Sequence, residues 1–427
     1  MKPMIMPFGK SSIKLNLPAR PGCTVLRARP IPPVKNIISA VSRVLDNSSG
    51  TKPFNKIFRP DDKIAIVVPD KTRRCGTDLI LNIFIRRLAG IGVPLKNITV
   101  ILARGLHSAH KQAEIKRIVG RNRYGKIRIV DHDCRNKDEL VYIGRTSFGT
   151  RLEINRWAAE ADKVITLGVV QYHYFAGFSG GRKMILPGIA GYDAINQNHS
   201  LVLNRLPGKG KNPMAALGQM SGNPVNEDMI EAARMFKVSF AVNLVVNHHE
   251  DIIKVFGGDI IKSHRSGCDF VNSFGRVILK KPADLVVASA GGYPTDINYI
   301  QAHKTIEHCS KALKTGGSML VLAECPEGVG SDIFVDYLKY GTAAKMEQQL
   351  RGKYVVSGQT AMCSLIKARK FDIHIHSRIP VSLLKKMKLK PAANPQSVLN
   401  KLLSTLPDNA RILVFPEGHS LMPVIKP

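Results

Sequence analysis

Residues 63–104 read KIAIVVPDKTRRCGTDLILNIFIRRLAGIGVPLKNITVILAR. Two runs rich in Val and Ile, KIAIVVPD (63–70) and NITVILAR (97–104), flank a segment whose apolar residues fall at helical spacing from Thr77 to Leu88 and stop before Gly90 and Gly92. Apolar runs of this length on either side of an amphipathic helix read as a βαβ unit with parallel strands. Outward from it the pattern repeats, with a helix over Ser108–Val119 and strands near 126–133, 162–170 and 239–247. A second series has strands at 284–290, 318–325, 371–377 and 410–418, with helices over 294–313, 333–351 and after Pro395. The expectation is an α/β protein of two domains, with Rossmann-like, mostly parallel sheets and an active-site cleft between them. Residues 1–265 form a cofactor-binding and catalytic domain, 266–409 a smaller domain, and 410–427 a tail returning to the first. GGDIIKSHRSG (257–267) reads as part of the connecting segment, with hinge motion expected between 256 and 281.

With 427 residues, 44% of them hydrophobic, the chain has enough apolar surface for two cores. Its 63 Lys and Arg against 32 Asp and Glu give a net charge of +31, which on its face attracts nucleic acid or an anionic membrane surface. The cations are spread along the chain, with short clusters such as Lys209 with Lys211 and Lys385 to Lys390, and 6% aromatics leave little for base stacking. A solvated basic surface is the plainer reading, with a nucleic-acid-binding protein as the competing class. The seven cysteines include no C-x-x-C pair, so neither a disulfide framework nor a thiolate zinc site is expected. No run of about 18 apolar residues and no signal-like start is present, which points to a cytoplasmic protein without a membrane span.

In open α/β sheets ligands bind beyond the carboxyl ends of the strands. The residues there are Asp70, Lys71, Thr72 and Arg73; Gly105, Leu106 and His107; Gln171, Tyr172 and His173; and Gly291, Gly292 and Tyr293. The densest segment is QYHYFAGFSGGRKMILPGIAG (171–191), followed by Asn198 and His199. Gly177, Gly180 and Gly181 permit close backbone approach, and with Ser179 their N–H groups make a candidate phosphate cradle. The spacing is not that of a P-loop, because Met184 stands where a magnesium-binding hydroxyl is needed. Three imidazoles, His107, His173 and His199, suffice for an acid/base pair and a one-histidine metal site. Others of the 13, including His248, His249, His374 and His376, read as surface or hydrogen-bonded groups. Arg73, Lys183 and Lys304 are cations of the kind that hold a carboxylate or phosphate.

HYFAGFSGGRK with LPGIA and NH (173–199) resembles the signature of the nickel-dependent lactate racemase family. DKTR (70–73), GLH (105–107) and GGYPTDIN (291–298) followed by QAHK (301–304) resemble its further motifs, in the family order. The resemblance covers nearly the whole chain. It implies an isomerase that racemises or epimerises a 2-hydroxy acid with a nickel-pincer nucleotide, a pyridinium-3-thioamide-5-thiocarboxylic acid mononucleotide. Lys183 would tether it through a thioamide, His199 would be the protein's ligand to nickel, and Asp70, Thr72, Ser179, Gly180, Gly181 and Tyr293 would contact it. His107 and His173 would be the catalytic acid/base groups on opposite faces of the substrate, with Arg73, Gln301 and Lys304 binding it. Hydride would pass from Cα to the pincer carbon and return on the other face of a 2-keto acid. Separate cofactor-synthesis enzymes are the implied maturation partners. Two departures concern the substrate: Arg74-Cys75-Gly76 replaces a proline-containing turn, and Ile300 stands where an aromatic is expected. Arg74 as a second anion site would suit malate or an acidic sugar acid, so the expectation names the reaction and not lactate.

Overall fold

The computed structural model describes residues 2–19, 22–73 and 75–426; Arg74 lies outside the described residues. The first sheet has six strands in the order Ile252–Gly258, Phe240–Val246, Lys163–Val169, Ile64–Pro69, Ile98–Ala103 and Arg128–Asp131. All pair in parallel except Ile252–Gly258, which runs antiparallel to its neighbour. Every residue of Ile64–Pro69 is buried, which is why this strand reads as an unbroken apolar run. Helix Thr77–Ile91 turns Ile80, Leu81, Phe84 and Leu88 into the core and ends at Gly92, whose φ of 95° an L side chain rarely adopts. From Ile64–Pro69 the chain builds outward to one side, then returns to the other with Lys163–Val169. The order therefore reverses between these two strands, and a crevice opens beyond their carboxyl ends.

The second sheet runs Lys390–Pro391, Asp372–His376, Leu313–Leu322, Ala283–Ser289, Ile412–Phe415 and Cys23–Val25, all parallel. Its last strand comes from the beginning of the chain. The antiparallel hairpin Lys2–Phe8 and Ser11–Leu17 also packs here, placing Met6, Leu15 and Leu17 among Leu285, Val287, Leu320 and Val414. The expected first domain, 1–265, is therefore corrected at its start, because the first 25 residues complete the second sheet and its core.

The other expected limits also move. GGDIIKSHRSG is no linker: Gly257 and Gly258 finish a strand, and Asp259 caps helix Ile260–Gly275 by accepting from the Ile261 and Lys262 amides at 2.9 Å. This helix buries small and polar residues, Ser263, His264 and Gly267, together with Cys268 and Val271, so its inner face does not look apolar in sequence. The passage between domains falls after Gly275. The expected return of 410–427 to the first domain is corrected for its strand, while its end does reach that domain. Ile412–Phe415 lies within the second sheet, Met422–Ile425 pairs with Arg276–Leu279, and Met422 packs with Tyr172, Phe178 and Leu217 of the first domain. The helix expected over 333–351 is two, Asp332–Tyr337 and Ala343–Gly352, and a further helix, Val356–Lys370, follows. Among the described residues, which include all seven cysteines, there is no disulfide. Among the described residues no helix is long and apolar enough to cross a membrane.

Candidate active site

The crevice collects side chains from three strand ends of the first sheet and one helix of the second domain. Asp70 directly follows Ile64–Pro69, and its Oδ1 accepts from the Thr72 amide (3.1 Å) and hydroxyl (2.7 Å), a tight turn that the chemistry of Asp favours. Its Oδ2 lies 2.6 Å from Nδ1 of His107, which follows Ile98–Ala103. Burial alone would raise the Asp70 carboxyl. The His107 and Thr72 hydrogen bonds and the nearby Arg73 charge outweigh it and bring its pKa down to about 2. The carboxylate thus fixes Nδ1 of a half-exposed ring and leaves Nε2 available.

Beyond Lys163–Val169, residues Tyr172–His173 and Gly177–Phe178 form a two-stranded ribbon. His173 stacks on Tyr174 (5.4 Å, 17°) and meets Phe175 edge-on at 4.6 Å. Its Nδ1 accepts from the Ala176 amide at 3.2 Å, and its Nε2 is 3.1 Å from Nζ of Lys183. Burial holds the His173 imidazolium well below its ordinary range, and the Lys183, Lys304, His199 and Arg73 charges add to this. Lys183 is likewise held well below the usual ammonium range, by burial first and then by Arg182, Arg73 and Lys304. In both groups the charged form is therefore disfavoured. His199, on helix Tyr192–Ser200, is buried against Phe175 at 5.1 Å, and its Nδ1 is enclosed without a hydrogen bond. Burial and the Lys183 charge lower it to about 3, leaving a neutral imidazole.

The second domain contributes helix Tyr299–Cys309, whose first turn is capped by Asn298. Lys304 donates to Gln301 Oε1 at 2.6 Å. Burial and the Arg73 charge lower Lys304 to about 7 against a smaller opposing pull from Asp70. Asp70, Arg73, His173, Lys183, His199 and Lys304 thus act on one another electrostatically across the crevice, with His107 tied to Asp70 and Gln301 to Lys304.

Ser179, Gly181 and Tyr293 have partners of their own within the protein. The Ser179 hydroxyl donates to Val169 O (2.7 Å) and accepts from the Gln171 amide (3.0 Å), while the Ser179 amide donates to Gln171 O (2.9 Å). The Gly181 amide donates to Asn243 Oδ1 at 2.8 Å. Of the phosphate cradle expected of Ser179, Gly180 and Gly181, the Ser179 and Gly181 amides are thus bonded inside the protein. At Gly181, with φ of 50°, a Cβ would lie 2.5 Å from the His264 ring. Tyr293 is 44% exposed and turned toward the N-terminal hairpin, its amide bonded to Gly9 O and its ring 5.4 Å from Lys10 Nζ.

Sequence reasoning read Arg182 only as a cation preceding Lys183, whereas it is fully buried. Its Nη2 donates to Ala176 O at 2.7 Å, and its Nη1 lies 2.8 Å from His264 Nε2, clamping both sides of the glycine turn. Sequence reasoning gave no role to Lys211, Glu307 and His303, which gather beneath Tyr174. His303 and Glu307 face each other at i, i+4 on one helix, 3.7 Å apart, and Lys211 meets them only across the domain interface.

Residues 8–209 match the family model of the lactate racemase N-terminal domain, and residues 278–423 that of the lactate racemase C-terminal domain. The lactate racemase of Thermoanaerobacterium thermosaccharolyticum is 31% identical over 432 residues, covering 98% of each chain. That of Lactiplantibacillus plantarum is 31% identical over 388 residues, 88% of this chain and 89% of its own. The solved lactate racemase apoprotein from T. thermosaccharolyticum matches all of both chains with a TM-score of 0.88 at 29% identity. A Thermotoga maritima protein shares the fold at 18% identity, with a TM-score of 0.63 over 91% of this chain and 97% of its own. With both domain models matched in order and the relatives aligned nearly end to end, this chain belongs to the lactate racemase family.

Proposed function

We propose that this chain is a racemase or epimerase of a 2-hydroxy acid, working with a nickel-pincer nucleotide carried on Lys183. One observation carries the reading: two separately anchored imidazoles, His107 and His173, meet a buried lysine whose charge is disfavoured and the cations Arg73 and Lys304 at a single crevice. Neither Arg73 nor Lys304 has a carboxylate ion pair among the described residues.

The residues fit the nucleotide. Forming a thioamide requires an unprotonated amine, and burial beside Arg182, Arg73 and Lys304 shifts Lys183 toward that state. A nitrogen ligand to a metal must be neutral, as His199 is, with its enclosed Nδ1 free of competing donors. Among the described residues no group of three or more His, Cys, Asp or Glu side chains is arranged to hold a metal. That accords with an ion whose remaining ligands belong to the nucleotide. When bound, the nucleotide supplies a reversible hydride acceptor beside the substrate Cα.

The protein's own part is binding, orientation and proton movement. Arg73 and Lys304 hold the substrate carboxylate, which relieves their mutual repulsion and restores the Lys304 charge. His107, its Nδ1 fixed by Asp70, presents Nε2 to the substrate hydroxyl on one face. His173, whose Nδ1 accepts from the Ala176 amide so that Nε2 carries the ring proton, serves the other face as the proton donor. Inverting a carbinol centre by way of the flat 2-keto acid needs a proton taken on one side and returned on the other, which one fixed imidazole cannot do. Lactate, malate and sugar acids all satisfy these contacts, and Ile300, beside Gln301, is a position that distinguishes among them.

The test is chiral chromatography of single-enantiomer 2-hydroxy acids incubated with protein co-expressed with cofactor-synthesis enzymes. At least one acid should be converted to both configurations, while His107→Gln and His173→Gln abolish conversion and keep nickel. Turnover retained in either histidine variant would overturn the two-base reading.

A further inference from the structure

The second domain grips the catalytic loop at one residue. Tyr174, next to His173, is buried, and its hydroxyl lies 3.1 Å from Gln359 Oε1 and 3.3 Å from Thr360 Oγ1 on helix Val356–Lys370. The Gln359 side-chain amide is itself oriented: its Nε2 donates to Cys363 Sγ at 2.9 Å, which turns the oxygen toward the tyrosine as an acceptor. The carbonyl of the same residue is held as well. Lys211 Nζ donates to Tyr174 O at 3.1 Å and to Glu307 Oε2 at 3.3 Å. Lys367, on the same helix as Gln359, lies 3.7 Å from that carboxylate oxygen. Glu307 is 5% exposed, and this bridge joins the loop around Lys211 to two helices of the second domain. The edge of the ring rests on His303 at 5.7 Å.

On its other side the Tyr174 ring stacks on His173, 5.4 Å away and tilted by 17°. The Ala176 amide holds Nδ1 and Lys183 Nζ lies 3.1 Å from Nε2, contacts at the ring's rim that leave the imidazole plane free to rock about the line joining them. The stacked tyrosine defines that plane, and the tyrosine in turn is set by Gln359, Thr360, Lys211 and Glu307. We propose that Tyr174 is a positioning residue through which the second domain orients the His173 imidazole. Separating the domains must break the tyrosine's bonds to Gln359 and Thr360, so His173 is fully aligned only while the two domains are closed on each other. The inference rests on the reading of His173 as a proton-transfer group for its catalytic consequence. Its structural half stands without that reading.

The test uses Tyr174→Phe, which keeps the stacked ring and removes the hydroxyl, with Gln359→Leu removing the same bond from the opposite domain. In full-length apoprotein, carbethoxylation of individual histidines by diethylpyrocarbonate is followed by peptide mass spectrometry. His173 should react several-fold faster in both variants, with His107 unchanged. In nucleotide-loaded enzyme, kcat should fall about tenfold, equivalent to about 1.4 kcal/mol, with KM within about twofold. An unchanged His173 rate, or equal acceleration at His107 and His173 from general loosening, overturns the proposal. If Tyr174→Phe fails to fold, Gln359→Leu is judged by the same outcomes. Failure of the two-base reading is distinguishable, because it would appear as turnover in loaded His173→Gln while leaving the apoprotein labelling result intact.

Discussion

Replacing Asp70 with Asn changes one atom and should disable His107. In the native protein Oδ1 accepts two hydrogen bonds from Thr72, and Oδ2 faces His107 Nδ1 at 2.6 Å. An asparagine has one acceptor oxygen. With its NH2 toward Thr72, that group would oppose the Thr72 backbone N–H, so the oxygen goes to Thr72 and the NH2 turns to His107. Nδ1 must then accept, which places the ring proton on Nε2, the atom that faces substrate, and withdraws support from the imidazolium. Losing a charge-assisted hydrogen bond and the productive tautomer together should cost about 3–5 kcal/mol, a fall of roughly 200- to 5,000-fold in kcat. The assay is enantiomer interconversion by loaded Asp70→Asn, with nickel content measured on the same sample. Loaded Asp70→Asn enzyme within fivefold of wild-type kcat would refute the reasoning.

Lys304, lowered to about 7 in the free enzyme, binds a carboxylate only when charged. kcat/KM should therefore decline as pH rises through about 7, and Lys304→Arg should move that decline several pH units higher. Asp70 has a folded pKa of about 2 against an ordinary 3.8, so its contribution is complete above the unfolded value and is lost as pH falls through the folded one. Urea unfolding should find Asp70→Asn less stable than wild type by about 2 kcal/mol at pH 5, with the gap narrowing toward pH 2. Gly181→Ala combines left-handed backbone strain with a Cβ 2.5 Å from the His264 ring, whereas Gly125→Ala, at φ of 84° with nothing within 4 Å, carries the strain alone. Scanning calorimetry should show a Tm loss of about 5–15 °C for the first and a few degrees for the second.

The core strands were legible because parallel strands covered on both faces leave apolar runs that little else produces; Ile64–Pro69 and Phe240–Val246 are buried throughout. The crevice was legible for the same reason, since strand ends are known once strands are, and Asp70, His107 and His173 all follow one. Helix Ile260–Gly275 was missed because its buried side presents Ser263, His264 and Gly267 to the sheet, where a sequence pattern expects hydrocarbon. The N-terminal strand Cys23–Val25 was missed because three residues carry no period, and its partner Ile412–Phe415 lies nearly 400 positions away. The glycine turn was recognised as special, but not what its glycines pack against. Its positive φ values serve packing against Val169, Gln219 and His264, while the Ser179 and Gly181 amides bond inward. Arg182 looked like one more cation in a basic chain, and only its complete burial separates it from the others.

The central claim is that Lys183 carries a nucleotide whose metal is completed by His199. Its most direct test is intact-protein mass spectrometry with nickel analysis on wild type and Lys183→Ala, both co-expressed with cofactor-synthesis enzymes. The account predicts an adduct of nucleotide mass and about one nickel per wild-type chain, with both absent from Lys183→Ala. A wild-type chain that emerges unmodified under conditions that load a known lactate racemase, or an adduct that persists in Lys183→Ala, would contradict it.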